Sequence, residues 1–240
     1  HHLLNRLSPK SECSVFQYRK LALEAIREIL KKGRFPIVTG GSGLYVKAII
    51  DGIAPQPGKQ DELRRKLYAL AKRKGAKELY LRLKKIDPKR AAKIHPNDQK
   101  RMIRALEIFT SSRRSQTDWE RETQGLQSNG IEPLIFGLSR DRTELYERIE
   151  KRVDHMFKQG WIQEVKCLKR RGFSKTAAVA IGYREISEFL DGKRSLDEAK
   201  QEIKKRTRHF AKRQMTWFRR DPRIRWIPVT GEQFIPVVLR

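Results

Sequence analysis

The sequence predicts an α/β protein whose sheet-bearing part is interrupted by an all-helical segment. Three observations carry this prediction. Short apolar runs bounded by breakers at residues 35–39, 134–138 and 224–227 read as strands. Around them, apolar residues recur at helical spacing. Residues 53–130 hold helical patterns and no convincing strand. The chain therefore divides into a first α/β part (1–52), a helical insertion (53–130) and a returning α/β part (131–240).

Residues 1–14 are polar and irregular. A helix is expected over 15–32, with Leu21, Ala25, Ile26 and Leu30 on its apolar side and Gly33 just past its end. Phe35-Pro36-Ile37-Val38-Thr39 follows as a buried strand and runs into Gly40-Gly41-Ser42-Gly43, then a helix over 44–50. A strand, a glycine turn and a helix N-terminus present free N–H groups to an anion or a substrate backbone. The spacing fits neither G-x-x-x-x-G-K-[ST] nor G-x-G-x-x-G, and a plain structural turn is the more frequent meaning of such a run.

Residues 51–58, rich in Pro and Gly, form a hinge or boundary. A very basic helix is expected over 61–74, with Arg64 and Arg65 in its first turn, and another over 76–85. Asp87-Pro88 starts a short turn. Asn97 or Asp98 caps a helix over 99–110, with Ile103 and Leu106 inward and Arg101 and Arg104 sharing a face. Residues 111–130 read as a polar loop with some helix.

After the strand at 134–138, Asp141 and Glu144 cap a long helix with Leu145, Ile149, Val153 and Met156 inward. Arg148, Arg152 and His155 line an adjacent face, where pairing with Glu147 or Glu150 in solvent would explain them without a function. Gly172 ends that helical region. Residues 176–190 contain Ala180-Ile181-Gly182-Tyr183-Arg184-Glu185, whose glycine lets something approach closely. Ser195 and Glu198 have capping-box spacing and open the last helix. Ile203, Phe210, Gln214 and Trp217, with Ala211 and Phe218 beside them, give it one buried stripe. Lys205, Arg208, Lys212, Arg213 and Arg219 fall largely off that stripe. Asp221-Pro222 stops the helix before a short final strand.

Lys and Arg number 55 against 28 Asp and Glu, a formal net charge of +27. That excess favours a polyanionic partner, because neutralising phosphates releases counterions. A membrane surface is the rival polyanion, but there is no long apolar run and no signal peptide. Cys13 and Cys167 lie far apart, match no metal or redox spacing, and read as reduced thiols of a cytosolic protein.

Taken in order, several of these segments resemble the tRNA dimethylallyltransferases, also called tRNA isopentenyltransferases. The resemblance rests on His1-His2-Leu3, GGSGLY at 40–45, HPND at 95–98 and Arg101-x-x-Arg104-Ala105-Leu106-Glu107. It continues through Arg148-Ile149-Glu150-x-Arg152, the run 180–185, and Ala211-Lys212-Arg213-Gln214-Met215-Thr216-Trp217. It implies a P-loop-kinase-like α/β core with a parallel sheet, incomplete in this chain, and a helical insertion that grips the anticodon stem of tRNA. It also implies transfer of a dimethylallyl group from dimethylallyl diphosphate to N6 of the adenosine 3′-adjacent to the anticodon. Mg²⁺ is expected beside the diphosphate, in a monomeric cytoplasmic protein with no protein partner and no membrane.

Carried over position by position, the resemblance puts Arg152 at the diphosphate, where a guanidinium suits bidentate contact. It puts Ser42 near the target nucleotide. The expected tRNA contacts are Arg64; Lys100, Arg101, Met102, Ile103 and Arg104; Val179, Ala180, Ile181, Gly182, Tyr183 and Arg184; and Lys212, Arg213, Gln214, Thr216 and Arg219. Trp217 and Phe218 read as core rather than as base-stacking groups. The family also begins with a P-loop followed by a catalytic Asp, and neither is found in these 240 residues. No residue of the chain is therefore assigned as catalytic, and the 240 residues alone are expected not to catalyse transfer. Three other readings compete: a tRNA-binding module without activity, an adenylate isopentenyltransferase, and a small-molecule kinase on the same core. The basic surface and the helical insertion count against the second, and the RxxRALE and AKRQMTW runs against the third.

Overall fold

The computed structural model describes residues 1–230. It separates into two compact units, residues 47–132 and residues 1–46 with 133 onward. In the second of these, α1 (Val15–Lys31) opens at Ser14 with a capping box: Ser14 Oγ accepts from the Gln17 N–H and the Gln17 side chain accepts from the Ser14 N–H. The helix buries Ala22 and Ile26. The run at 35–39 is not a strand. Phe35 and Ile37 are 93 % and 85 % exposed, and no described strand lies alongside them. The run has strand composition, but a strand also needs a partner to take its backbone groups. The glycine turn then starts α2 (Gly43–Ile50), with the Ser42 carbonyl accepting from Tyr45 and Val46.

The unit at 47–132 is built from α3 (Asp61–Lys74), α4 (Ala76–Ile86), the short α5 (Pro88–Ala91), α6 (Gln99–Ser112) and α7 (Gln116–Arg121), with a 3₁₀ turn at Gln127–Asn129. It contains no strand. Leu67, Ala71, Leu79, Leu83, Ile94, Met102, Ile103 and Leu106 form its core. Gly75, at φ 82°, both ends α3 and begins α4, a left-handed turn that favours glycine. Asp87 is buried and anchors two elements. It caps α5 at the Arg90 N–H and accepts from both the backbone and the hydroxyl of Thr117, in the first turn of α7. Asp98 is the cap of α6. The two ends of the unit are stitched together where the Leu126 N–H donates to the Ile50 carbonyl at 2.8 Å.

The other unit resumes with β1 (Phe136–Ser139), α8 (Arg142–Lys158), α9 (Trp161–Arg171), α10 (Lys175–Ala178), α11 (Tyr183–Leu190), α12 (Leu196–Phe218) and β2 (Arg225–Pro228). The two strands pair in parallel, with Phe136 opposite Arg225 and Ser139 opposite Pro228. Parallel pairing requires a long crossover, and the five helices between them supply it. The core is Val153, Trp161, Val165, Ile186 and Ile203. The helical region expected to run from Asp141 to Gly172 breaks at Gly160, which takes φ 92° between α8 and α9.

The stripe expected along α12 is buried only in its first half, at Ala199 and Ile203. Phe210 and Trp217 remain partly exposed, because α8 and α11 cover the N-terminal turns and leave a flank of the C-terminal turns open. The helix also ends at Phe218, ahead of Asp221-Pro222. Among the described residues no helix is long and apolar enough to cross a membrane.

Candidate nucleic-acid and diphosphate interface

Helix α12 carries the glycine loop. Gln214 Nε2 donates to the Gly41 carbonyl at 2.8 Å, and its amide fills the space a Cβ at Gly41 would take. The Trp217 indole fills the same space at Gly43. Gly41 and Gly43 are therefore glycines because helix side chains press directly onto their backbone. Tyr45 stacks on Tyr18 with ring centroids 4.1 Å apart, which ties the start of α2 to α1. Ser42 lies exposed between the two clamped glycines. Gln214, expected among the tRNA contacts, has its amide donor engaged by the loop. Trp217 is not fully in the core; it is the packing surface for Gly43.

Helices α8 and α12 run antiparallel, as their ion pairs require: Asp154 with Lys204 at 2.8 Å, then Glu150 with Arg208 one turn along. Arg148 pairs with Glu144. These pairs occupy the carboxylates around Arg152, which is exposed and joined to no carboxylate among the described residues. On this ladder Arg152 stands level with Arg206. Gln214 lies eight residues further along α12, about 12 Å at 1.5 Å per residue.

The cations of α12 and of the turn just past it divide in the same way. Lys204, Arg206 and Arg208 are paired with Asp154, Glu185 and Glu150. Lys212, Arg213, Arg219 and Arg220 are exposed and meet no carboxylate among the described residues. Arg213 lies over the Phe210 ring at 5.7 Å, and Thr216 turns its hydroxyl back to the Lys212 carbonyl. The free positive charge is thus concentrated on the half of the helix that also holds the glycine loop.

The turn 179–184 is held by Glu185, a buried carboxylate. One oxygen accepts from the Gly182 N–H at 2.8 Å and the other from Arg206 of α12. Gly182 sits at φ 97° with the Trp161 ring against its α-carbon, so a side chain is excluded by both conformation and space. Val179, Ala180 and Arg184 are exposed, while Ile181 and Tyr183 pack on the core. Burial, followed by the Glu164 carboxylate 2.5 Å from its hydroxyl, pushes the Tyr183 phenol up to about 12. It stays neutral at any working pH.

In the helical unit, Arg64 and Arg104 converge on Glu107, whose side chain is 0 % exposed. Arg64 Nε and Nη2 reach its two oxygens at 2.9 Å each, Arg104 Nη1 donates at 2.6 Å, and the Gln60 N–H donates at 2.6 Å. Arg104 Nη2 also donates to the Pro57 carbonyl. Burial pushes the Glu107 carboxyl up, but the two guanidiniums and the Gln60 amide outweigh it and hold it below its ordinary value. Lys100 and Arg101 are exposed at the start of α6, Arg101 paired with Asp98 at 3.2 Å. Met102 and Ile103 need correction as side-chain contacts: they are 0 % and 1 % exposed in the core of the unit, because they lie on the apolar stripe of α6.

Glu107 and Glu185 are the organising residues that the motif reading passes over. Each carries a signal. Glu107 is a carboxylate inside the apolar run Ala105-Leu106-Glu107-Ile108-Phe109, where a charge must be paired. Glu185 stands three residues after Gly182, the spacing at which a side chain returns to the N-cap.

Among the described residues no three His, Cys, Asp or Glu side chains gather as a metal-ligand set. The Mg²⁺ expected from the resemblance finds no cage of protein ligands among them.

A small parallel sheet bridged by helices, with an all-helical unit and grouped unpaired cations, defines the class as an α/β protein with a helical insertion and a basic surface. Comparison with known proteins makes the class specific. Residues 1–221 match the model of the IPP transferase family. The chain is similar to the tRNA dimethylallyltransferase of Carboxydothermus hydrogenoformans, 46 % identical over 94 % of this chain and 73 % of that protein. It is also similar to that of Geobacter sulfurreducens, 41 % identical over 95 % and 73 %. The crystal structure of a tRNA isopentenylpyrophosphate transferase from Bacillus halodurans superposes with a TM-score of 0.62, at 38 % identity, covering 95 % of this chain and 71 % of that one. This chain belongs to the IPP transferase family.

Proposed function

We propose that this protein transfers a dimethylallyl group from dimethylallyl diphosphate to N6 of the adenosine 3′-adjacent to the anticodon of tRNA. The observation that carries the reading is the grouping of unpaired cations on the half of α12 that clamps the glycine loop, in a chain of the IPP transferase family. An RNA substrate requires an extended cationic surface, which a free mononucleotide does not.

In this reading the adenine amine attacks the allylic carbon. A C–N bond forms, the C–O bond to diphosphate breaks, and the amine gives up a proton to a base that none of these 240 residues is assigned to be. The diphosphate leaves carrying the electron pair, so a cation aimed at it lowers the barrier. Arg152 has that role, its fork left unspent by the ladder of pairs around it. Mg²⁺, where bound, would offset charge on the leaving diphosphate, and no described residue is assigned to hold it. The base must leave its stack to reach the allylic carbon. Ser42, presented between the clamped glycines, lies at the target nucleotide.

The tRNA contacts are Arg64, Lys100, Arg101 and Arg104 in the helical unit, and the turn 179–184 with Lys212, Arg213, Thr216 and Arg219 in the other. Met102 and Ile103, buried as whole residues, support these groups from the core of the helical unit. The protein acts in the cytoplasm as a single chain.

The test is Arg152→Ala. Its affinity for dimethylallyl diphosphate should fall by about tenfold or more, as expected when a charge-assisted hydrogen bond is removed. Its affinity for tRNA should stay within about twofold of the unaltered protein. Equal loss of both would remove Arg152 from the diphosphate.

A further inference from the structure

The cluster around Glu107 has an unbalanced charge. Two guanidiniums share one carboxylate, and that carboxylate is fully enclosed with its oxygens spent on Arg64, Arg104 and the Gln60 amide. One positive charge is left over. The two arginine side chains are 29 % and 30 % exposed, so each keeps one edge toward solvent. Among the described residues nothing accepts from Arg64 Nη1 or Arg104 Nε.

Stability alone is a poor reason for this arrangement. Buried ion clusters are often matched or bettered by apolar side chains of similar volume, and Glu107 sits in an otherwise apolar stretch of α6. What the carboxylate does supply is fixed geometry. From α6 it ties down α3, through Arg64, and the segment 57–60, through the Gln60 amide and the bond of its α6 neighbour Arg104 to Pro57. Both forks are locked before any ligand arrives, so little side-chain entropy remains to be lost on binding.

We propose that Glu107 is a positioning residue for RNA, holding Arg64 and Arg104 as a preformed pair whose free edges take one backbone phosphate. The inference rests on the tRNA reading above and adds to it a residue that touches no RNA. It has an unusual sign. Glu107→Gln removes a negative charge beside a phosphate site, so charge alone predicts tighter RNA binding, whereas loss of positioning predicts weaker binding.

The experiment measures binding of an anticodon stem-loop RNA to the full chain by fluorescence anisotropy at several salt concentrations. Far-UV circular dichroism of each variant accompanies it. Glu107→Gln should bind about tenfold more weakly. Its slope of log K on log salt should be smaller by about one, because one phosphate is no longer neutralised. Arg104→Lys keeps the charge but loses the fork that spans Glu107 and Pro57. It is the second variant, informative even if Glu107→Gln does not fold, and should lose affinity to a similar degree. Folded Glu107→Gln that binds as tightly as the unaltered chain, or more tightly, overturns the proposal. So does wild-type affinity in Arg104→Lys. If the unaltered chain fails to bind the RNA, the tRNA reading itself falls, a result distinct from wild-type binding in the variants.

Discussion

Glu185 and Glu107 each join separate elements through one buried carboxylate, and each sets a testable cost. Glu185 closes the turn at Gly182, where φ is 97° and the Trp161 ring occupies the space of a Cβ. Gly182→Ala should therefore destabilise the protein by about 2 kcal/mol or more, through strain and overpacking together. Urea unfolding would measure it, and a wild-type midpoint would contradict the account. Glu107 sets a pH dependence. Its carboxyl is held below its ordinary value of 4.5, so the folded state binds its proton less readily than the unfolded one. That stability is complete above 4.5 and is lost as pH falls through the lowered folded value. Thermal unfolding followed between about pH 6 and pH 3 should show a decline that Glu107→Gln flattens. Glu107→Gln should also cost about 3–5 kcal/mol at neutral pH, since it leaves two guanidiniums around a neutral amide. Caps at Asp98, Asp141 and Ser195 are legible because their signal lies within four residues of chain. The Arg64 partner of Glu107 is not, because it lies 43 residues away and only folding brings it near.

Helix α12 shows how one element serves two ends. Its first half is neutralised by Asp154, Glu185 and Glu150, and its second half carries free cations and clamps the glycine loop. Replacing Lys212, Arg213 and Arg219 together by Ala should weaken tRNA binding and reduce its salt slope by up to about three units, roughly one for each phosphate no longer neutralised. Lys200→Ala, in the first half, should leave the slope unchanged. A triple variant with the wild-type slope would mean those cations face solvent in the complex. Helices read well because their periodicity and caps are local: the expected 61–74 is Asp61–Lys74, and the expected capping box opens α12 at Ser195. The run at 35–39 misleads because composition reports burial and β-preference, while pairing depends on a distant partner. The break at Gly160 is hidden because apolar spacing continues across it from Met156 and Phe157 to Ile162 and Val165.

At the scale of the whole molecule, the +27 charge and the family membership describe the same surface from two sides. Charge excess alone fits any polyanion. The motif runs GGSGLY, RxxRALE, AIGYRE and AKRQMTW make it specific, and the structure gives several of their residues physical reasons. The glycines receive Gln214 and Trp217, Glu107 receives Arg64 and Arg104, and Gly182 receives Trp161. Much of each motif is thus scaffold, and the exposed groups beside it, proposed above to meet substrate, are Ser42, Arg101, Arg152, Arg184, Lys212 and Arg219. That division is not legible in a motif, where buried and exposed residues stand side by side. The central claim is the reaction, and the most direct measurement is nucleoside mass analysis of unmodified tRNA. The RNA would be incubated with dimethylallyl diphosphate, Mg²⁺ and the product of the complete gene. The account predicts a prenylated adenosine 3′-adjacent to the anticodon. Intact tRNA binding with no prenylated nucleoside would contradict it.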